Sequence, residues 1–213
     1  MTPGRNALEL VYCDASLLAV NKPAGLLSVP GRGADKQDCL ASRVQAEFSD
    51  ALVAHRLDMA TSGLLLFARG TEMQCRLSQM FSERAIGKRY MALVSGRIES
   101  AAGEIVLPLL CDWPNRPKQK VDHASGKPSL TRYRVLAHDA TTDATRVELE
   151  PVTGRTHQLR VHMAAIRHPI LGDALYNEEA NDSTERLMLH ACSLNFTHPL
   201  SGEPLSLTSD APF

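Results

Sequence analysis

Short apolar runs at 8–12, 17–20, 63–68, the later part of 85–94, 105–110, 131–137, 145–150, 187–196 and 203–207 predict strands. The run at 63–68 is apolar without alternation, as a strand covered on both faces would be. Three stretches carry helical spacing instead. Leu40, Val44 and Phe48 recur every four residues and predict a helix over 38–48. Thr71-Glu72-Met73-Gln74 reads as a capping box that opens a second helix, with Met73, Leu77, Met80 and Phe81 as its apolar stripe. Thr156 is placed to N-cap a third helix over 157–166, with Leu159, Met163 and Ile166 on its apolar side and His157 and Arg160 on a shared face. Loops rich in Pro and Gly fall at 21–25, 30–33, 168–173 and 198–202. Strands outnumber helices and 131–137 and 145–150 alternate as an antiparallel pair, so the class is α+β rather than a βαβ repeat.

Composition narrows the class. At 213 residues with 44% hydrophobic and 22% charged positions, the chain can bury a proper core and is not a disordered segment. No apolar run is long enough to span a membrane, and the N-terminus lacks the apolar region of a signal peptide, so a cytoplasmic protein is expected. The five cysteines, Cys13, Cys39, Cys75, Cys111 and Cys192, are scattered and odd in number; they predict reduced, mostly buried thiols rather than a disulfide framework or zinc ribbon.

The net charge of −1 hides an asymmetry. Residues 55–171 carry 17 Lys and Arg against 11 Asp and Glu, and 151–171 has three arginines, three histidines and no acid. Within 112–134 lie six bases, two acids, three prolines and the only tryptophan, Trp113. Such a stretch reads either as a nucleic-acid clamp or as an exposed hairpin with a solvated basic surface.

Candidate chemistry centres on Ala54–Gly63, AHRLDMATSG, a polar turn between two apolar segments. A lone carboxylate, Asp58, sits there two residues after Arg56. Spacing leaves two readings open: Asp58 caps the turn and Arg56 pairs with a surface acid, or Asp58 is a reactive group on a rigid mount. Lys22 reads as a phosphate contact or a solvated loop residue, and Tyr90 as a buried strand aromatic or a phenol beside phosphate-binding bases. Other chemistries fit poorly. His157 and His162 are five apart with no HExxH glutamate, Ser62 lies in no G-x-S-x-G elbow, no comparable second acid flanks Asp58, and no nucleotide-binding glycine motif occurs. One carboxylate, arginines, a tyrosine and a basic surface suit chemistry at a sugar or base that activates no water.

These residues resemble a family. His55-Arg56-Leu57-Asp58-x-x-Thr61-Ser62-Gly63 is similar to the HRLDxxTSG motif of the RluA family of pseudouridine synthases. Asn21-Lys22-Pro23-x-Gly25, Lys88-x-Tyr90, the run from Gly154 to His162, His168-Pro169-Ile170-Leu171-Gly172-Asp173, and Leu189-His190-Ala191 with His198-Pro199 extend the match from about Leu8 to the end. The resemblance implies a mixed, mostly antiparallel central sheet flanked by helices with a catalytic cleft across it, and neither cofactor nor metal. It implies a single catalytic domain over 1–213, because the chain starts too close to Asn21 to hold the N-terminal S4 domain of many relatives, and a monomer. The implied substrates are uridines in loops of large-subunit rRNA and the tRNA anticodon stem-loop. The implied roles are Asp58 as essential carboxylate, Arg160 as the cation that keeps it ionised, Tyr90 stacking on the uracil, Arg56 filling the gap left by a flipped uridine, and Leu189 packing on the base. His55, Lys22, Lys118 and Lys120 are expected at the RNA, the lysines on phosphates. Two other readings give different products: an RNA-binding module with a structural Asp58 makes none, and an RNA N-glycosidase releases free uracil.

Overall fold

The two apolar runs nearest the N-terminus form strands β1 (Leu10–Cys13) and β2 (Leu17–Lys22), paired antiparallel. Asp14 makes the turn between them: its Oδ1 accepts the backbone N–H groups of Ser16 and Leu17 at 2.6 and 2.8 Å, and its Oδ2 accepts the Tyr12 hydroxyl. Burial raises the carboxyl's pKa, but these donors outweigh it and hold the group below the usual carboxylate range. The computed structural model describes residues 8–177 and 184–213; the stretch read for a leader begins at residues 1–7, outside the described residues.

The elements that follow are α1 (Leu40–Glu47), β3 (Ala51–Val53), β4 (Ser62–Arg69), α2 (Thr71–Ser82), β5 (Gly87–Ser95), β6 (Ala102–Val106), β7 (Leu109–Cys111), β8 (Gln119–Val121), β9 (Leu130–Asp139), β10 (Ala144–Pro151), α3 (Gln158–Ala165), β11 (Leu189–Thr197) and β12 (Pro204–Thr208). This is an α+β chain with many strands and few helices, as the hydrophobic pattern predicts. The described residues divide into two compact units: the chain up to Lys88 with Ala191–Pro212, and Arg89–His190 with Phe213.

In the first unit β2 pairs with β4, β3 with β4, and β11 with β12, all antiparallel. Leu17, Ala19, Leu64, Leu66 and Ala68 point into one core with Met73 and Leu77 of α2 and with Leu194, Phe196 and Leu207. The alternate positions Leu18, Val20, Leu65 and Phe67 are equally buried, so both faces are covered and the unbroken apolar run of β4 is accounted for. In the second unit β10 pairs with β5 and β9, and β6 with β9. Thr145, Val147, Leu149 and Pro151 face inward along β10, while Glu148 on the other face accepts Arg89 and Arg134 at 2.7 and 3.1 Å.

Several expectations need correction. Thr71 is the first residue of α2, not its cap; Gly70 occupies that position at φ 84°, and Gln74 sends its amide to the Val53 carbonyl at 3.0 Å, tying the helix to β3. The strand expected over 105–110 breaks at Leu107-Pro108 into β6 and β7, since proline cannot donate to a ladder. Thr156 does not cap α3. His157 takes the cap position in left-handed backbone at φ 53°, and the Gln158 carboxamide oxygen accepts the Arg155 N–H instead at 3.1 Å. From Gln158 to Met163 that helix is buried on all sides, Gln158, Arg160 and His162 included, because its polar groups find internal partners. His162 Nδ1 meets Thr131 Oγ1 at 2.9 Å, and its Nε2 meets Ser129 Oγ and the Leu107 carbonyl, both at 3.1 Å. No disulfide joins the five cysteines, as expected, but only Cys39 is buried; its Sγ caps α1 by accepting the Ser42 N–H at 3.4 Å.

Candidate active site

In the first unit the turn between β3 and β4 carries His55, Arg56 and Asp58. The Thr61 N–H bonds to the Asp58 carbonyl at 3.1 Å and closes the turn. Its neighbours are fixed from behind by the loop after β2. Ser28 Oγ donates to the Leu57 carbonyl at 2.7 Å and accepts the Leu57 N–H at 3.1 Å. The Met59 carbonyl accepts both the Gly25 N–H at 2.9 Å and Lys22 Nζ at 3.0 Å. The residues on either side of Asp58 are therefore pinned, while the Asp58 side chain is half-buried and Arg56 and Met59 are exposed. Loop positions held this firmly by a scaffold lose little entropy when they meet a ligand.

Lys22 itself has 0% exposure. Its ammonium donates to the carbonyls of Pro23, Leu26 and Met59 at 2.9, 2.8 and 3.0 Å. The expected phosphate contact is thus corrected: Lys22 braces the turn from inside. An ammonium has three donors and buried polar groups must be paired, so these carbonyls let the lysine follow Leu18 and Val20 into the interior.

His55, also expected at the RNA, accepts the Leu66 N–H of β4 on Nε2 at 2.9 Å and lies 4.3 Å from the Phe81 ring centre. Burial, and secondarily the charge of Lys88, push its pKa down to about 3. The ring is neutral at physiological pH and brings no positive charge to a phosphate.

The second unit holds Tyr90, Arg160, Leu189, Lys118 and Lys120. Arg160 lies on α3 with 5% exposure and is forked by Asp173, Nε to Oδ2 at 2.7 Å and Nη2 to Oδ1 at 2.6 Å. Asp173 Oδ1 also accepts the N–H groups of Leu175 and Tyr176 at 3.0 and 3.2 Å. The Arg160 guanidinium stands 5.1 Å from the Tyr176 ring centre. The Tyr176 hydroxyl meets His157 Nδ1 at 2.7 Å and accepts the Gln119 N–H of β8 at 2.7 Å. A bidentate, buried pair of this kind fixes a guanidinium in plane and position. Neither Asp173 nor Tyr176 was singled out from sequence. The available signal was that Asp173 is the first acid after the acid-free stretch carrying Arg160.

Tyr90 is half-buried on β5 opposite Leu149. Leu189 is 3% exposed at the start of β11. Lys118 is half-buried and Lys120 exposed, 3.5 Å from Asp122. Among the described residues no three His, Cys, Asp or Glu side chains converge as a metal ion would require. Among them, too, no helix is long and apolar enough to cross a membrane.

Comparison with known proteins places these motifs in context. The family model described as RNA pseudouridylate synthase matches residues 16–165. The chain is 51% identical over 197 residues to the dual-specificity RNA pseudouridine synthase RluA of Vibrio parahaemolyticus, covering 91% of this chain and 79% of that one. It is 48% identical over 205 residues to the protein of the same name from Yersinia pestis, covering 96% and 99%. Among solved structures, human RNA pseudouridylate synthase domain containing 1 superposes with a TM-score of 0.83 at 32% identity, covering 100% of this chain and 87% of that one. The fold is also that of human RNA pseudouridylate synthase domain containing 4, with a TM-score of 0.77 at 24% identity.

Proposed function

The chain belongs to the RNA pseudouridylate synthase family and is an RNA pseudouridine synthase, and from that premise we propose that Asp58 is its essential carboxylate. The reaction breaks the N1–C1′ bond of a uridine, turns the base and joins C5 to C1′. Nothing is oxidised and no water is consumed, so a single positioned anion suffices. Such an anion can attack C1′, attack C6 of the base, or remove the C2′ proton. The observation that supports Asp58 most is its mounting: a half-buried carboxylate between residues whose backbone is clamped by Ser28, Gly25 and Lys22.

The remaining roles follow from the same reading. Arg160 is the cation that pairs with Asp58 during the reaction, and Asp173 positions that arginine. Tyr90 stacks on the target uracil, Leu189 packs against it, and the exposed Arg56 fills the gap that a flipped nucleotide leaves. Lys118 and Lys120 meet phosphates. Flipping costs least from an unpaired loop, so the substrate uridines lie in RNA hairpin loops. The Vibrio and Yersinia relatives are named dual-specificity enzymes; this chain acts likewise on two RNA classes, large-subunit rRNA and the tRNA anticodon stem-loop, as a cytoplasmic monomer.

The test of the central assignment is tritium release from RNA carrying [5-³H]uridine. Asp58→Asn should lose at least ~100-fold in turnover, as expected for a positioned catalytic group, while RNA affinity stays within a few-fold of the parent. Turnover near that of the parent would refute the assignment.

A further inference from the structure

The hairpin of β7 and β8 carries the chain's only tryptophan at its tip. Trp113 is 65% exposed, an unusual place for so large an apolar side chain. The Arg116 guanidinium lies 4.1 Å from the ring centroid, over one face of the indole. That stacking orients both groups as a flat, positively charged surface.

The tip is stiff. The Asn115 N–H bonds to the Asp112 carbonyl, the Lys118 N–H to the Asn115 carbonyl and the Asp112 N–H to the Lys118 carbonyl, each at 3.0 Å. Asn115 Nδ2 adds a bond to Asp112 Oδ2 at 2.9 Å, and Pro114 and Pro117 remove backbone freedom on either side. The base of the hairpin is held as well: the Gln119 N–H reaches the Tyr176 hydroxyl, which bonds His157 at the start of α3, three residues before Arg160. An aromatic surface is thus fixed by a short chain of hydrogen bonds to the helix that carries Arg160. Arg116 lies against it, and the hairpin and its flank carry Lys118, Lys120 and Lys127, in a stretch of six bases and two acids.

We propose that Trp113, backed by Arg116, is a stacking platform for an unpaired nucleobase of the substrate RNA, separate from the uridine that reacts. The proposal rests on the assignment of RNA as substrate. Every nucleobase has a π-face, so such a platform grips single-stranded RNA without reading its sequence, and the surrounding cations follow the phosphates. This suits an enzyme that must hold differing loops in one register. A stiff aromatic ring meets a base at small entropic cost, and the flanking charge favours nucleic acid over an apolar protein surface.

Because Trp113 is the only tryptophan, its fluorescence reports the platform directly. The intact protein is titrated with oligouridylate, a blunt RNA duplex and heparin. Saturable quenching by oligouridylate, with little change from duplex or heparin, is the expected result. Labelled oligouridylate should bind Trp113→Ala about tenfold or more weakly with an unchanged salt slope, and Trp113→Phe should restore most of the affinity. Arg116→Ala should weaken binding and make the salt slope shallower by about one unit. Equal quenching by heparin, no quenching by any probe, or an affinity of Trp113→Ala within twofold of the parent would each overturn the proposal. Tritium release by the parent protein is read in parallel. Quenching without release would leave the platform standing and defeat the enzymatic reading; release without quenching would do the reverse.

Discussion

Lys22 shows how much a single residue's environment decides. A lysine in a Pro- and Gly-rich loop would ordinarily be solvated, yet here the ammonium is enclosed and shared among three carbonyls. Two of those carbonyls belong to its own loop and the third to Met59, beside Asp58. Lys22→Met should therefore remove three hydrogen bonds made by a fully buried ammonium and cost about 3 kcal/mol or more in urea unfolding. The salt slope of RNA binding should not change, since the amine touches no phosphate. A slope reduced by about one unit with little loss of stability would return Lys22 to the RNA surface. Asp173 is a comparable case. As a residue in a loop motif it has no evident role, but with 1% exposure it satisfies a guanidinium and two backbone N–H groups at once.

Among the elements, β4 bears most on the candidate site, because the Asp58 turn runs directly into it. Gly63, its second residue, has φ 112°, and a Cβ there would collide with the backbone of Ala191 on β11. The close approach admits only hydrogen, and the backbone angle is one that L side chains rarely adopt. Gly63→Ala should cost about 3 kcal/mol or more and lower the urea midpoint accordingly. A midpoint unchanged within error would mean that β4 and β11 can part without penalty. The glycine of the HRLDxxTSG motif is thus explained by packing, and the Thr-Ser pair before it is buried with the strand. α3 makes the complementary point. Its sequence reads as amphipathic, but His162 and Gln158 are internal struts, each with several partners, so its polar face is buried too.

Across the molecule, the imidazoles of His55 and His162, both with lowered pKa values, contribute to the acid side of stability. Burial lowers the pKa of His55 to about 3 and also lowers that of His162. Between the folded and unfolded values the unfolded chain binds more protons, so stability rises with pH through that window and falls as pH drops below ~6.5. Each imidazole contributes a slope of up to about 1.4 kcal/mol per pH unit. Urea midpoints should hold from pH 8 to 7 and decline from pH 6.5 to 5, before most carboxylates titrate. A flat profile over that range would show that both rings protonate freely in the folded state.

Family and reaction were legible in the order of residues because the motifs are local: His55, Arg56, Asp58, Thr61 and Gly63 lie within nine consecutive residues, and hydrophobic period alone places β2, β4, β9, β10 and the body of each helix. The sequence could offer Asp58 and Arg160 as chemistry, since a carboxylate and a guanidinium carry their charge wherever they stand. What it could not disclose was how such groups are supported. Lys22 needs the Met59 carbonyl 37 residues away, His55 needs the Leu66 N–H, and Arg160 needs Asp173. Helix starts were misplaced for the same reason: Gln74 and Gln158 bond outside their helices, and Gly70 and His157 take the turns that Thr71 and Thr156 were expected to make. Charge and periodicity are properties of the chain, whereas burial and hydrogen-bond partnership exist only once distant segments meet, and that convergence was decided by the tertiary structure.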